Sequence, residues 1–210
     1  MTMTAPSRWY FDFISPFSYL QWPRVRGLSA ARPVVPVPIL LGAVLDARGQ
    51  KGPAEIAGKR EFTYRHVLWQ ARRQGTALRF PPRHPFNPLP ALRLCIAAGT
   101  TMEAVTAIFD WIWRDGRSAD DIDALAPLLA FLGLTPAALG DPAVKAALRD
   151  NTQAALDAGV FGVPTLAIGG TLFWGNDAHD FAAAVLDDPA LLDDEEMRRV
   201  AALPVGIRRG

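Results

Sequence analysis

Two serines, Ser15 and Ser18, flank Pro16-Phe17 where an alternating aromatic run gives way to a helical pattern. Serine is a preferred N-cap and proline fits the first helical position, so a helix is expected to begin at Pro16 with Ser15 before it. A helix start presents free N–H groups and the positive end of a dipole, which stabilise an anion such as a thiolate. A second group lies in Gly159–Asp177, GVFGVPTLAIGGTLFWGND. A cis Val163-Pro164 bond there would turn the chain sharply and leave the Val163 backbone groups unpaired, open to an extended peptide-like ligand. A trans proline opening a strand is the commoner arrangement. Asn176-Asp177 closes the stretch. Asp177 stands where it would cap a helix over Ala178–Leu186, and its charge suits an amino group. Each of these features alone is ordinary capping or turn chemistry; their order and spacing make them a candidate site.

The elements that must position these residues follow from periodicity. Arg8–Ile14 alternates, with Trp9, Phe11 and Phe13 on one face and Tyr10, Asp12 and Ile14 on the other, as a strand does. Tyr19, Leu20, Trp22, Val25 and Leu28 supply the next helix, with Pro23 inside it. Pro33–Leu41 reads as a second strand, its prolines suiting an edge. Gly42–Pro53 reads as a loop-rich connector and Glu55–Gln74 as a long helix whose apolar positions include Ile56, Phe62, Val67 and Trp69. Phe80–Pro90 is too proline-rich for anything but extended structure. Four further helices are expected over Leu89–Ala98, Thr101–Trp113, Ala119–Leu132 and Asp141–Ala158, with glycines near their ends. Strands return at Thr165–Ile168 and Thr171–Trp174, joined by Gly169-Gly170 as a hairpin turn. The tail carries a short helix over Asp193–Ala202.

Composition narrows the function classes. Half of the 210 residues are apolar and the formal net charge is +1, which points away from nucleic acid. No apolar run approaches the length of a membrane span, and Met1–Ser7 lacks a signal-peptide core, so a cytoplasmic location is expected. The single cysteine, Cys95, cannot form an internal disulfide and sits in an apolar helical pattern, as a buried inert thiol does. His66, His84 and His179 show no metal-ligand spacing, so no metal is expected. Nucleotide-binding glycine motifs and the serine-hydrolase elbow are absent.

The order is β-α-β, a block of helices, then proline-β-β-α. That is the order of an α/β, thioredoxin-like fold with an all-helical insertion: a core of residues 1–45 and 159–210, and an insertion of residues 46–158. In such a fold the first helix opens with two cysteines separated by two residues. Here Ser15 and Ser18 occupy both positions, so the chain has no redox couple of its own there. A sulfur stabilised at this helix start must come from outside. Glutathione fits: its backbone could pair beside Pro164, and its γ-glutamyl end could meet Asp177 and nearby backbone N–H groups.

The run Phe11-Asp12-Phe13-Ile14-Ser15-Pro16-Phe17-Ser18-Tyr19-Leu20 resembles the opening motif of the 2-hydroxychromene-2-carboxylate isomerases, grouped with kappa-class glutathione transferases in the DsbA-like branch of the thioredoxin fold. Pro81–Leu94 resembles that family's middle segment and Gly159–Asp177 its glutathione-binding segment, so the resemblance runs from about Trp9 to about Leu186. It implies cis-trans interconversion of 2-hydroxychromene-2-carboxylate and trans-o-hydroxybenzylidenepyruvate, a step of naphthalene-type aromatic breakdown, with glutathione as a regenerated cofactor. It maps the catalytic serine beside the glutathione sulfur onto Ser15. The backbone contact maps onto Val163 before Pro164, and the γ-glutamyl contacts onto Trp174, Gly175, Asn176 and Asp177. It also implies a homodimer.

Two positions depart from the family pattern. Ala178 stands where many relatives carry arginine, and Val37-Pro38-Ile39 carries no lysine for the substrate carboxylate. Arg48, Lys51, Arg83 and His84 are therefore the candidates for that carboxylate. Two rival readings use the same residues: a kappa-type transferase, which would consume glutathione, and a non-catalytic glutathione- or peptide-binding module. An apolar cleft with no basic group near Ser15 is the mark of the module.

Overall fold

The computed structural model describes residues 6–207; residues 1–5 of the Met1–Ser7 segment and residues 208–210 of the tail lie outside the described residues. The first strand, β1 (Ser7–Phe11), is shorter than the alternating pattern. It stops because Asp12 folds the chain: its carboxylate accepts the Ile14 N–H, and its carbonyl accepts the Ser15 N–H. Helix α1 (Pro16–Ala31) then starts where Ser15-Pro16 predicts and carries Pro23 within it. Strand β2 (Val34–Pro38) pairs parallel with β1.

The stretch expected as a connector contains a helix, α2 (Leu41–Ala47). Leu41, Val44 and Leu45 recur at helical spacing, and Val44 is buried. A short 3-10 turn, Pro53–Glu55, precedes α3 (Lys59–Arg73). α3 begins later than expected, after Gly58, whose φ of +79° breaks the helical path. Its buried positions are Val67 and Ala71. Phe62 and Trp69, expected among its apolar positions, are 68% and 51% exposed.

The extended Phe80–Pro90 segment leads to α4 (Leu89–Ala97) and then α5 (Met102–Phe109), which passes into a π-helical turn over Asp110–Arg114. Helix α6 (Ala126–Phe131) is less than half the expected length, because Pro127 belongs in a first turn and not in a helix interior. α7 (Pro142–Asp157) is capped by Asp141 through the Ala143 N–H. Strands β3 (Thr165–Ile168) and β4 (Thr171–Trp174) form the expected hairpin, with Gly169 and Gly170 at φ +56° and +89° as a two-residue turn of this hand requires. Helix α8 (His179–Asp187) and a short α9 (Glu195–Ala201) follow.

The four strands make one mixed sheet in the order β2-β1-β3-β4, with β1 antiparallel to β3. β2 lies at an edge, which its prolines tolerate. Alternation along β1 loads the two faces differently. Trp9 and Phe11 enter the larger core, where Trp9 stacks on Phe11 and Trp22 at 4.5 and 5.1 Å between ring centroids and Phe109 closes the cluster. Tyr10 enters a smaller cluster with Ile39, Val44, Ala155, Val160 and Val163. The larger core contains residues of the sheet and of α4, α5 and α6 alike, so the helices between the two halves of the sheet share its apolar interior. Cys95 is fully buried within it, and burial pushes its thiol up to about 12.

Candidate active site

Ser15 sits at the mouth of α1 and is 6% exposed. Its Oγ accepts the Ser18 N–H at 3.2 Å. Its O–H has no acceptor among the described residues, so the proton remains to be donated to a ligand. Pro16 has no N–H, and the Phe17 N–H makes no backbone bond among the described residues; one hydroxyl and one amide therefore stand unspent at the positive end of the helix. Ser18, one turn along, is fully buried with its hydroxyl unpartnered among the described residues.

The cavity that Ser15 lines measures about 180 Å³. Ile14, Leu40, Leu41, Leu45, Pro85 and Pro88 give it apolar walls, and α2 supplies one of them. Asp12 lies at its base, fully buried. Its carboxylate accepts the Leu41 N–H at 2.9 Å and the Ile14 N–H at 3.1 Å, tying the turn after β2 to the turn after β1. Burial pushes the carboxyl up to about 7, against these backbone bonds, which pull it down. Glu55 and His84 are the other titratable groups of the lining, which contains no arginine or lysine. A neighbouring cavity of about 470 Å³ shares His84 and Pro85 and carries Arg60 and Arg83.

The Gly175–Asp177 loop is held from α1 and α3. Gln21 takes the Trp9 indole N–H at 2.7 Å and donates to the Gly175 carbonyl at 2.9 Å; Arg24 donates to the Asn176 carbonyl and pairs with Asp180. Asn176 is buried and donates to Gln70 at 3.1 Å, while its Oδ1 is buried without a partner among the described residues. Gly175 has φ +102°, a conformation that strains any side-chain-bearing residue and favours glycine. Asp177 does not cap α8. The helix starts two residues later, with Ala178 at the cap position and no side-chain bond, which leaves the Asp177 carboxylate exposed in a cleft of about 340 Å³ with Arg24, Gln70, Arg73 and Asp180.

The Val163-Pro164 bond is cis. Val163 makes no backbone–backbone hydrogen bond among the described residues. Tyr10 pairs with Thr165, so one further step of the antiparallel register sets Pro164 beside Phe11, at the end of β1 where the chain leaves for Ser15. Trp174 is 54% exposed and packs on Phe161.

The four carboxylate candidates separate. Arg48 spends its guanidinium on the Leu156 and Val160 carbonyls at the end of α7. Lys51 is exposed and lines neither cavity. Arg83 lines the neighbouring cavity only. His84 borders both, but its Nε2–H is donated to the Ile14 carbonyl at 2.8 Å and burial lowers its pKa, so it stands as a neutral ring already bonded to the protein. Sequence reasoning missed Asp12, Leu41 and Leu45. A lone carboxylate in an aromatic strand and leucines at helical spacing were the available signals. Among the described residues no cluster of His, Cys, Asp or Glu is arranged to hold a metal ion, and no helix is long and apolar enough to cross a membrane.

Residues 8–187 match the model of the DSBA-like thioredoxin domain. The chain is 31% identical over 195 residues to a 2-hydroxychromene-2-carboxylate isomerase of Sphingobium xenophagum, covering 89% of this chain and 100% of the relative. It is 32% identical over 183 residues to one of Pseudomonas putida, covering 80% and 87%. A solved 2-hydroxychromene-2-carboxylate isomerase superposes with a TM-score of 0.75 at 25% identity, over 96% of this chain and 100% of that one. The cytosolic disulfide reductase DsbM from Pseudomonas aeruginosa, solved with GSH, shares the fold at a TM-score of 0.56 and 16% identity, over 87% of this chain and 100% of that one. On the extent of these matches, the chain belongs to the DSBA-like thioredoxin family, among the relatives named 2-hydroxychromene-2-carboxylate isomerases.

Proposed function

We propose that the protein is a glutathione-dependent isomerase that interconverts 2-hydroxychromene-2-carboxylate and trans-o-hydroxybenzylidenepyruvate. The observation that carries the reading is the pairing of Ser15, with its unspent O–H at the start of α1, with the Gly175–Asp177 loop held further along the same helix. From Ser15 to Gln21 the helix rises about 9 Å, within the reach of an extended tripeptide of about 10 Å. The exposed Asp177 carboxylate suits the ammonium of a γ-glutamyl end, and the Val163 backbone suits its peptide groups. The residues present therefore fit glutathione.

When bound, glutathione would supply a thiolate nucleophile, whose reversible addition to a conjugated substrate is the chemistry that lets a former double bond rotate. The unspent Ser15 O–H and Phe17 N–H at the positive end of the helix would favour a thiolate over a thiol held there. The walls of Ile14, Leu40, Leu41 and Leu45 take a flat aromatic ring and exclude water. Arg83, with Arg60 beside it, offers the substrate carboxylate a charge across Pro85. Val163, Pro164, Trp174, Gly175, Asn176 and Asp177 hold the cofactor, and no metal enters the scheme. Cytoplasmic location, a homodimer and the division into a core and a helical insertion belong to the same reading; light scattering checks the dimer.

The missing arginine or lysine in the Ser15 cavity favours a second reading, a glutathione-binding module without catalysis. The test is incubation of purified protein with 2-hydroxychromene-2-carboxylate, with and without glutathione, following product absorbance and free thiol together. Isomerase activity requires glutathione and leaves its amount unchanged. Thiol consumption would indicate a transferase, and binding without turnover a module.

A further inference from the structure

The turn between β1 and α1 is held from two sides. From its own side, Asp12 takes the Ile14 and Ser15 N–H groups, the latter on its backbone carbonyl at 3.1 Å. From the other side come two donors of the helical block. The Trp113 indole N–H reaches the Phe13 carbonyl at 2.8 Å, and His84 Nε2–H reaches the Ile14 carbonyl at 2.8 Å. A carbonyl only accepts, so Nε2 carries the imidazole hydrogen and Nδ1 is left as an acceptor. Tyr64 Oη lies 2.6 Å from that Nδ1 and 2.8 Å from the His84 carbonyl. Arg60 donates to the same carbonyl at 2.7 Å and to Tyr64 Oη at 3.2 Å. Phe80, Phe86 and Trp113 surround the imidazole, with ring centroids between 5.4 and 6.1 Å away. Both ring nitrogens, the tautomer and the ring plane are therefore fixed, and the result of that fixing is one hydrogen bond to one backbone carbonyl.

We infer that His84, oriented by Tyr64, is a positioning residue for Ser15: its Nε2–H fixes the Ile14–Ser15 peptide and so sets the direction of the Ser15 hydroxyl. The peptide is a rigid plane. Asp12 holds its N–H end and His84 its C=O end. Without the second hold the plane turns about the bonds on either side, and the Ser15 Cβ swings relative to the helix start. The freed Ile14 carbonyl would also lose its one side-chain donor beside a cavity walled largely by leucine and proline. The inference rests on the reading of Ser15 as the hydroxyl of the site.

The test uses the full chain as His84→Ala, His84→Gln and Tyr64→Phe. Glutamine can present an amide N–H at about the reach of Nε2; alanine cannot. Backbone hydrogen exchange of residues 12–18 is measured without ligand, and kcat and KM for glutathione are measured with the chromene substrate. For His84→Ala, loss of one buried hydrogen bond predicts exchange faster by about tenfold and kcat lower by about tenfold, with KM within about threefold. For His84→Gln, both return to within about threefold of the unsubstituted protein. An alanine variant with unchanged exchange, or a glutamine variant as impaired as alanine, overturns the inference. If His84→Ala fails to fold, Tyr64→Phe decides: exchange in residues 12–18 rises if Tyr64 orients the ring, and unchanged exchange refutes it. A protein with no isomerase activity defeats the proposed function, while the exchange comparison still decides the role of His84.

Discussion

Replacing Asp12 by asparagine isolates the effect of burying a carboxyl beneath Ser15. Burial raises the Asp12 pKa from 3.8 to about 7, and a displacement of that size corresponds to about 4 kcal/mol between the protonation states. Between those two values the unfolded chain releases the Asp12 proton and the folded chain keeps it. Stability therefore falls as pH rises through this window and is unaffected by Asp12 below it. His179 acts in the opposite direction. Burial, and then Arg24, lowers its pKa from 6.5 to about 4, so in that interval the unfolded chain binds a proton that the folded chain refuses, and stability rises with pH. The two slopes oppose each other from about pH 4 to 6.5, and above that Asp12 acts alone.

Asp12→Asn removes one slope and leaves the other. Asparagine keeps one oxygen for one of the two N–H groups and turns an amide donor toward the second, a constant penalty of about 1–3 kcal/mol. Denaturant unfolding of both proteins at pH 4, 6 and 8 gives the stability difference at each pH. That difference should move in favour of the variant by up to about 4 kcal/mol as pH rises. His84, which lines the same cavity and whose pKa burial lowers, is present in both proteins, so its contribution largely cancels in the comparison. A difference that stays constant with pH would refute the reasoning and mean that Asp12 is already ionised in the folded protein at pH 4.

Ser15→Ala removes the cap to the Ser18 N–H, costing about 1 kcal/mol, and should also raise the pH at which bound glutathione ionises, read from ultraviolet thiolate absorbance; unchanged titration and turnover would reduce Ser15 to a helix cap. Asp177→Ala should weaken glutathione binding about ten- to a hundredfold by calorimetry, and unchanged affinity would move the γ-glutamyl end elsewhere. Arg48→Ala should cost under about 1 kcal/mol of stability, as expected for an exposed cation at a helix C-terminus, and leave KM for the chromene carboxylate unaltered. A tenfold rise in that KM would return Arg48 to the substrate site.

The features legible in the sequence were local ones. Ser15-Pro16 marks the start of α1 because capping needs only neighbouring residues, and Gly169-Gly170 marks the hairpin because its turn needs positive φ at both positions. The order of strands around the helical block gave the fold. The misplacements have equally specific causes. Asp177 was expected as a cap, but Gly175 bends the loop so that α8 starts two residues beyond Asp177. α2 was hidden by the glycines and basic residues that follow it. The partners of the Ser15 turn could not be read at all, because Trp113 lies 100 residues from Phe13 and His84 lies 70 from Ile14. A tryptophan in a helical pattern reads as core. Only the π turn at Asp110–Arg114, which shifts the phase of the helix, accompanies its indole N–H reaching a backbone carbonyl instead.

The two ends of the candidate site are thus fixed by different means. Gln21 and Arg24 belong to α1 itself, so the distance from Ser15 to the Gly175–Asp177 loop is set mainly by the rise of one helix, with one further bond from Asn176 to Gln70 of α3. The direction of the Ser15 hydroxyl has no such independence: Trp113 and His84, both in the helical block, hold the two carbonyls before it. A substitution that loosens the hold of Trp113 or His84 without touching α3 should therefore spare glutathione affinity, which depends mainly on the loop, and lower turnover, which depends on the hydroxyl. A substitution in Gln21 should do the reverse. Its loss frees the Gly175 carbonyl and the Trp9 indole together, so Gln21→Leu should weaken glutathione binding by about tenfold or more while residues 12–18 exchange as before. If calorimetry and hydrogen exchange instead changed in parallel in both classes of variant, the site would be a single cooperative unit and the separation drawn from α1 would be wrong.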